Sequence, residues 1–128
     1  KYDQDFSESK FIPYVNNVFI QIYTSLMTKE IENIKHFVTD DVYEQLKQKV
    51  DILNQKGLIQ MYDELNVAKT DILHYQVEDN QMIIQVRILS RYLDYFVDLD
   101  GNYVSGNQDS RVSKNYDLTF MKKLTFRQ

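Results

Sequence analysis

The sequence has 128 residues, a length that suits one domain with a single hydrophobic core. Its net charge of −4 at pH 7 gives no support for nucleic-acid binding, so we expect no nucleic acid among its partners. The absence of Cys excludes disulfides, thiolate nucleophiles and cysteine-based zinc sites. No apolar run approaches the ~20 residues that a membrane-spanning helix needs.

Three helices are predicted in the first half of the chain. Pro13 is tolerable only near the start of the first helix. Thr28 is expected to cap a short second helix, and Thr39 a third, which ends at Gly57. The apolar residues of the first helix recur at helical spacing and predict one buried stripe: Phe11, Val15, Val18, Phe19, Ile22 and Leu26.

The third helix is expected to turn a polar face to solvent. Charged and amide side chains are typical of such a surface, because they keep their hydration there. The residues expected on that face are Glu44, Gln45, Lys47, Gln48 and Lys49.

After Gly57 the hydrophobic period changes to that of strands. A first strand is predicted from about Leu65, followed by a long strand over residues 81–98. Asp79-Asn80 is suited to a two-residue hairpin turn between them. A turn at Asp100-Gly101, a short strand and a last long strand follow. Three helices followed by antiparallel strands predict an α+β fold.

The long strand changes its apolar parity near its middle. Met82 to Ile88 alternate with polar residues on one parity, whereas Leu93 and Tyr95 lie on the other. A strand cannot exchange its buried face without a bulge or a strong twist, so we place a bulge near Ser90. A long bulged strand implies a curved sheet whose hollow helices can fill.

Asp94 is the best acid–base candidate, because it shares the parity of the inward-facing residues and lies near Tyr92 and Phe96. A carboxylate in an aromatic cavity would have a raised pKa and could act as a base. The parity change at Ser90 favours the alternative, in which Asp94 faces solvent and pairs with Arg91 or a neighbouring strand.

The other candidate motifs have structural explanations. His36 and His74 lack the neighbours that metal and acid–base sites require. Residues 98–102 resemble the start of a calcium loop, but Gly101 is fourth where the loop needs Gly at the sixth position, so a hairpin turn is favoured. No catalytic residue, metal ligand or cofactor is predicted.

The sequence resembles the domain shared by the C-terminal part of the mitochondrial inner-membrane translocase subunit forty-four, the mitochondrial ribosomal-tether proteins and bacterial relatives. The matching features extend from about Phe11 to Lys123. They are Phe19-x-x-Ile22-Tyr23, Ile31-x-x-Ile34-x-x-Phe37-Val38-Thr39-x-x-Val42-Tyr43, Val67 to Ile72, Ile84-x-Val86-x-Ile88, Asp100-Gly101-x-x-Val104-x-Gly106 and Tyr116-x-Leu118-Thr119-Phe120-x-Lys122.

The resemblance implies a cone-shaped fold similar to nuclear transport factor two, with helices packed on a curved antiparallel sheet around an apolar pocket. It implies that residues 1–128 form one domain, the soluble part of a longer membrane-anchored protein. Ser25-Leu26 and Leu118 depart from the family pattern and indicate a bacterial-type member. The side of the membrane is not indicated.

The leading functional hypothesis is a non-catalytic binding or tethering domain of a membrane-associated protein. Its pocket would take a peptide, a protein segment or a lipid, and parts outside this chain would reach the membrane surface. The residues expected to line the pocket are Phe19, Tyr23, Tyr92, Tyr95 and Phe120.

Two alternatives come from other functional classes. The first is a small-molecule enzyme similar to ketosteroid isomerase, with Asp94 or His74 as the base. The second is a structural domain that forms a homodimer through the exposed face of the sheet, where Arg87, Arg91 and Lys123 alternate with Leu and Tyr.

Overall fold

A computed structural model describes residues 7–123 and has the α+β fold predicted from the sequence. Three helices precede a curved, open sheet of four antiparallel strands. The elements are α1 (Glu8–Thr28), a 3₁₀-helix (Ile31–Phe37), α2 (Asp40–Lys56), β1 (Leu58–Glu78), β2 (Gln81–Asp98), β3 (Tyr103–Gly106) and β4 (Val112–Lys123).

The ends of α2 follow the local sequence, whereas the starts of the other two helices differ from prediction. The helix α1 begins at Glu8, five residues before Pro13, so Pro13 lies inside the helix. The Thr39 hydroxyl accepts a hydrogen bond from the Val42 amide at 3.3 Å and caps α2, whose C-terminal cap is Gly57 at φ 66°. The prediction that Thr28 caps the second helix is wrong, because Thr28 is the last residue of α1. Its hydroxyl accepts instead from the Glu30 amide in the connection to the 3₁₀-helix.

The strand β2 is the centre of the sheet. It pairs with β1 along one edge, and along the other edge with β4 over residues 81–92 and with β3 over residues 95–97. The predicted hairpin turn between β1 and β2 is confirmed, since Asp79 and Asn80 have φ of 51° and 62°. None of the helices within residues 7–123 combines the length and apolar character needed to cross a membrane.

Two features of the first strands differ from prediction. The strand β1 begins at Leu58, seven residues before Leu65. The bulge predicted near Ser90 is wrong, because β2 pairs with β4 without a register shift from Gln81 to Tyr92. The three register shifts between β1 and β2 each place one extra residue in β1.

The main core lies between α1 and the inner face of the sheet, the face that the helices cover. As predicted, Met82 to Ile88 of β2 pack there on one parity, against Val15 and Phe19 of α1. A second core group joins α2 to the sheet through Val50, Tyr62 and Tyr92.

The C-terminal end of β2 is buried on both faces, which explains the change of apolar parity along this strand. Tyr92 lies under the helices on the inner face. Leu93, Tyr95 and Val97 point to the opposite, outer face and pack against Ile59 and Met61 of β1, their neighbours across the hairpin. The parity change therefore marks a second apolar cluster and leaves the inner face continuous.

Candidate functional site

Four tyrosines meet in the interior of the fold. The ring of Tyr62 lies 4.8 Å from that of Tyr23 and 5.3 Å from that of Tyr92, measured between ring centres. The phenolic oxygens of Tyr92 and Tyr116 lie 2.6 Å apart and share a hydrogen bond. The ring contacts of Tyr62 with Tyr23 and Tyr92 are edge-on, which is a favoured geometry for aromatic packing.

Burial changes the acid–base properties of these phenols. It raises the pKa of Tyr23, Tyr62 and Tyr92 well above the usual value for tyrosine, and the neighbouring Tyr116 contributes to each shift. All three are therefore neutral at physiological pH. The Tyr62 hydroxyl is buried and has no hydrogen-bond partner among residues 7–123.

The five residues predicted to line one pocket do not lie together. Phe19, Tyr23 and Tyr92 belong to the packed aromatic interior, where the tilted rings of Phe19 and Tyr23 lie 4.8 Å apart. Tyr95 points to the outer face of the sheet, so it cannot share a pocket with them.

Phe120, the remaining predicted pocket residue, lies at the other end of α1. Its ring packs edge-on against Phe11 at 5.6 Å and against Tyr14 at 6.1 Å. Together these rings border a cavity of about 310 Å³ beside the first turns of α1.

A larger groove of about 480 Å³ lies between α2 and the sheet, and we call it the α2–sheet groove. Six residues of one α2 stripe form its helical wall: Gln45, Gln48, Lys49, Ile52, Leu53 and Lys56. Leu58, Gln60, Phe96 and Ser105 form the wall on the sheet. Its volume lies within the ~300–1,000 Å³ range of small-ligand sites.

The α2–sheet groove combines an apolar floor with cationic groups. Leu53, Leu58 and Phe96 supply apolar surface, and Lys49 and Lys56 supply positive charge. The Lys49 ammonium lies 5.6 Å from the centre of the Tyr62 ring, in cation–π geometry. Desolvation by burial lowers the pKa of Lys49, and the charge of Lys114 lowers it further, while that of Asp94 opposes the shift. Lys49 is exposed, as predicted for the polar face of α2, and the structure adds that this part of the face lines the groove.

Asp94 lies on the inner face of the sheet, next to this groove. Its carboxylate accepts a hydrogen bond from the Gln60 amide at 3.2 Å and lies 3.7 Å from the Lys114 ammonium on β4. Its side chain is 23% exposed. The predicted pairing with a neighbouring strand is thus found, but the predicted solvent-facing orientation is wrong.

Comparison of the sequence with models of protein families identifies the family of this chain. The family model of the Tim44-like domain matches residues 1–127, nearly the whole chain. The chain belongs to the Tim44-like domain family. Tim44-like domains are associated with membranes and are generally non-catalytic binding domains. None of the curated proteins compared with the sequence matches it.

The histidines of this Tim44-like domain lie away from its interior. His74 is exposed on the outer face of β1, where its Nε2 atom lies 2.7 Å from the Gln76 side chain. His36 stacks on Phe37 at the end of the 3₁₀-helix. Within residues 7–123, no group of three or more His, Asp or Glu side chains is arranged to hold a metal ion.

The Asp98 motif of this Tim44-like domain forms the predicted hairpin turn. The Asp98 carboxylate accepts hydrogen bonds from the backbone amides of Asp100 and Asn102, both at 2.9 Å. These bonds, that from Asn102 first, lower the pKa of Asp98. The carboxylate stabilises the turn itself.

Proposed function

We propose that this Tim44-like domain is a non-catalytic binding or tethering module of a membrane-associated protein, and that the α2–sheet groove is its binding site. The occupant is an apolar segment of a protein or a lipid. The observation that carries the proposal is the composition of the groove, in which the apolar surface of Leu53, Leu58 and Phe96 is bordered by polar side chains. Sites with this arrangement bind through apolar burial and use polar groups for orientation.

The arrangement of the interior supports the groove over a central pocket. Phe19 and Tyr92 are each 1% exposed, so the space between α1 and the sheet is filled by side chains. Ile52, in contrast, lines the groove and is 50% exposed. A ligand can therefore cover apolar surface in the groove without displacing the aromatic core.

The surroundings of the candidate bases support a non-catalytic role. A general base must be held within reach of its substrate and must be available to take a proton. The carboxylate of Asp94 is already engaged by Gln60 and Lys114. His74, the base of the alternative proposal, lies on the outer face and cannot reach the groove.

The self-association alternative stays a prediction. Arg87, one of the residues expected at such an interface, forms a two-pronged pair with Asp117 of its own chain, at 2.8 and 3.0 Å. The side chain of Lys123 lies outside the described residues.

Binding of the fluorophore anilinonaphthalene sulfonate, which joins an apolar ring system to an anionic sulfonate, tests the proposal. We expect the Ile52→Gln variant to bind it at least about five-fold more weakly than wild type, because the substitution removes apolar wall from the groove. Leu99→Gln is the matched control, since Leu99 is 67% exposed and does not line the groove. Equal losses in both variants, or no loss in Ile52→Gln, would contradict the proposed site.

A further inference from the structure

We infer that the occupant of the α2–sheet groove is an extended peptide segment with two acidic residues three positions apart and apolar side chains between them. The inference rests on the proposed binding role of the groove and specifies its ligand. It depends on the spacing of the two lysines, on the charges around them and on the amide side chains beside them.

The spacing of the groove residues sets the length of the segment. The stripe from Gln45 to Lys56 spans about 16 Å along α2, at about 1.5 Å per residue, which matches about five residues of an extended chain. Lys49 and Lys56 are seven residues apart on this stripe, about 10 Å along the helix axis. Residues three apart in an extended peptide are separated by a similar distance, about 10 Å.

The charges facing the groove favour an anionic ligand. Among the described residues, its walls carry Lys49 and Lys56 but no Asp or Glu. The Asp94 carboxylate, whose charge acts on Lys49, lies 3.7 Å from the Lys114 ammonium. The positive charges on the groove walls are therefore those of Lys49 and Lys56, which an acidic segment would complement.

The amide side chains favour a peptide over a lipid headgroup. Gln45 and Gln48 present carboxamides along the same wall as the lysines. A carboxamide both donates and accepts hydrogen bonds, as a peptide group does. A phosphate headgroup accepts hydrogen bonds, so it would use only the donor half of each carboxamide. The apolar floor at Leu53 and Phe96 lies where the middle side chains of the segment would rest.

Fluorescence anisotropy with three labelled, end-blocked peptides tests the inference. Their core sequences are Glu-Leu-Phe-Glu, Gln-Leu-Phe-Gln and Lys-Leu-Phe-Lys. We expect the glutamate peptide to bind at least about ten-fold more tightly than the other two, and its binding to weaken as salt is added. Equal binding of the three peptides would overturn the inference.

Two lysine substitutions on the same helix locate the effect. Lys56→Glu should weaken binding of the glutamate peptide at least about ten-fold and strengthen binding of the lysine peptide. Lys47→Glu makes the same charge change on the opposite face of α2 and should leave both affinities within about two-fold of wild type. Similar effects of the two substitutions would overturn the inference, and the gain for the lysine peptide shows that the Lys56→Glu variant is folded.

Two further measurements separate this inference from the proposed function. If anilinonaphthalene sulfonate binding depends on Ile52 but the peptides bind without charge preference, the groove is a binding site and the acidic-peptide inference is wrong. If phosphatidylglycerol vesicles displace the fluorophore and the glutamate peptide does not, the ligand is a lipid and the inference is again wrong. Displacement of the fluorophore by the glutamate peptide, and loss of this displacement in the Lys56→Glu variant, would support both the proposed function and the acidic-peptide inference.

Discussion

The Gln60 side chain donates a hydrogen bond to Asp94 across the β1–β2 hairpin, over 3.2 Å. The register places Gln60 opposite Phe96 and Tyr62 opposite Asp94, so the bond runs diagonally over the inner face of the sheet. It connects a residue of the α2–sheet groove to the partly buried carboxylate of the interior. Asp94 thereby supports the wall of the groove, which is a structural role.

The substitution Asp94→Asn should have little effect on stability or on binding, because the new side chain keeps an oxygen that can accept the hydrogen bond from Gln60. We expect the free energy of unfolding to change by about 1 kcal/mol or less, the scale of a partly exposed ion pair such as that with Lys114. Binding of anilinonaphthalene sulfonate should stay within about two-fold of wild type. A destabilisation of about 3 kcal/mol or more in urea unfolding would show instead that Asp94 belongs to a buried charge pair.

Two Tyr→Phe substitutions should have different effects on stability. Tyr116→Phe removes a hydroxyl that shares a 2.6 Å hydrogen bond with Tyr92, and should lower the free energy of unfolding by about 1 kcal/mol. Tyr62→Phe removes a buried hydroxyl without a partner in residues 7–123, and should be neutral or stabilising. Chemical denaturation of both variants gives the comparison, and a loss above about 1 kcal/mol in Tyr62→Phe would contradict the described surroundings of that hydroxyl.

Alkaline pH should destabilise the fold through its buried phenols. The folded-state pKa values of Tyr23, Tyr62 and Tyr92 are raised, so unfolded tyrosines lose protons at lower pH than these three do when folded. Their contribution to stability is thus fully present below the unfolded value of about 10 and is lost as the pH rises above it. Tyrosinate absorbance should show these phenols titrating together with unfolding, whereas separate titration near pH 10 without loss of structure would contradict their burial.

Gly106→Ala should detach β3 from β2. Gly106 has φ 106°, and an added Cβ atom would lie 2.6 Å from the Asp94 carbonyl oxygen and against the Tyr95 backbone. We expect the free energy of unfolding to fall by more than about 1 kcal/mol. Binding in the α2–sheet groove should also weaken, because Ser105 of β3 lines that groove. Gly101→Ala is the control, since Gly101 also has positive φ, at 86°, but no atom of residues 7–123 lies within 4 Å of the added Cβ. Equal losses in the two variants would mean that backbone strain alone explains the effect.

The helices and most of the sheet could be predicted because their signals are local. Capping residues, the Asp79-Asn80 turn and the alternation from Met82 to Ile88 each depend on close neighbours in the sequence. The start of β1 could not be predicted in this way, because Leu58 to Tyr62 carry apolar residues on both parities. That pattern follows from the burial of both sheet faces at this end of the fold.

The groove was missed because its helical wall resembles a solvated surface. Gln45, Gln48 and Lys49 are polar, and only the packing of α2 against the sheet places them beside Phe96. The bulge predicted near Ser90 was also assigned to the wrong strand, because the extra residue at this point lies in β1, between Val67 and Lys69. Parity locates the residues of β2 that are buried, but the identity of the strand that carries an extra residue depends on pairing over long distances.

Amide chemical shifts measured during titration with anilinonaphthalene sulfonate test the central claim most directly. The account predicts that the largest changes lie along α2 from Gln45 to Lys56 and at the facing sheet residues Gln60, Phe96 and Ser105. The claim would be contradicted if the changes instead cluster on the outer face around Met61 and Tyr95.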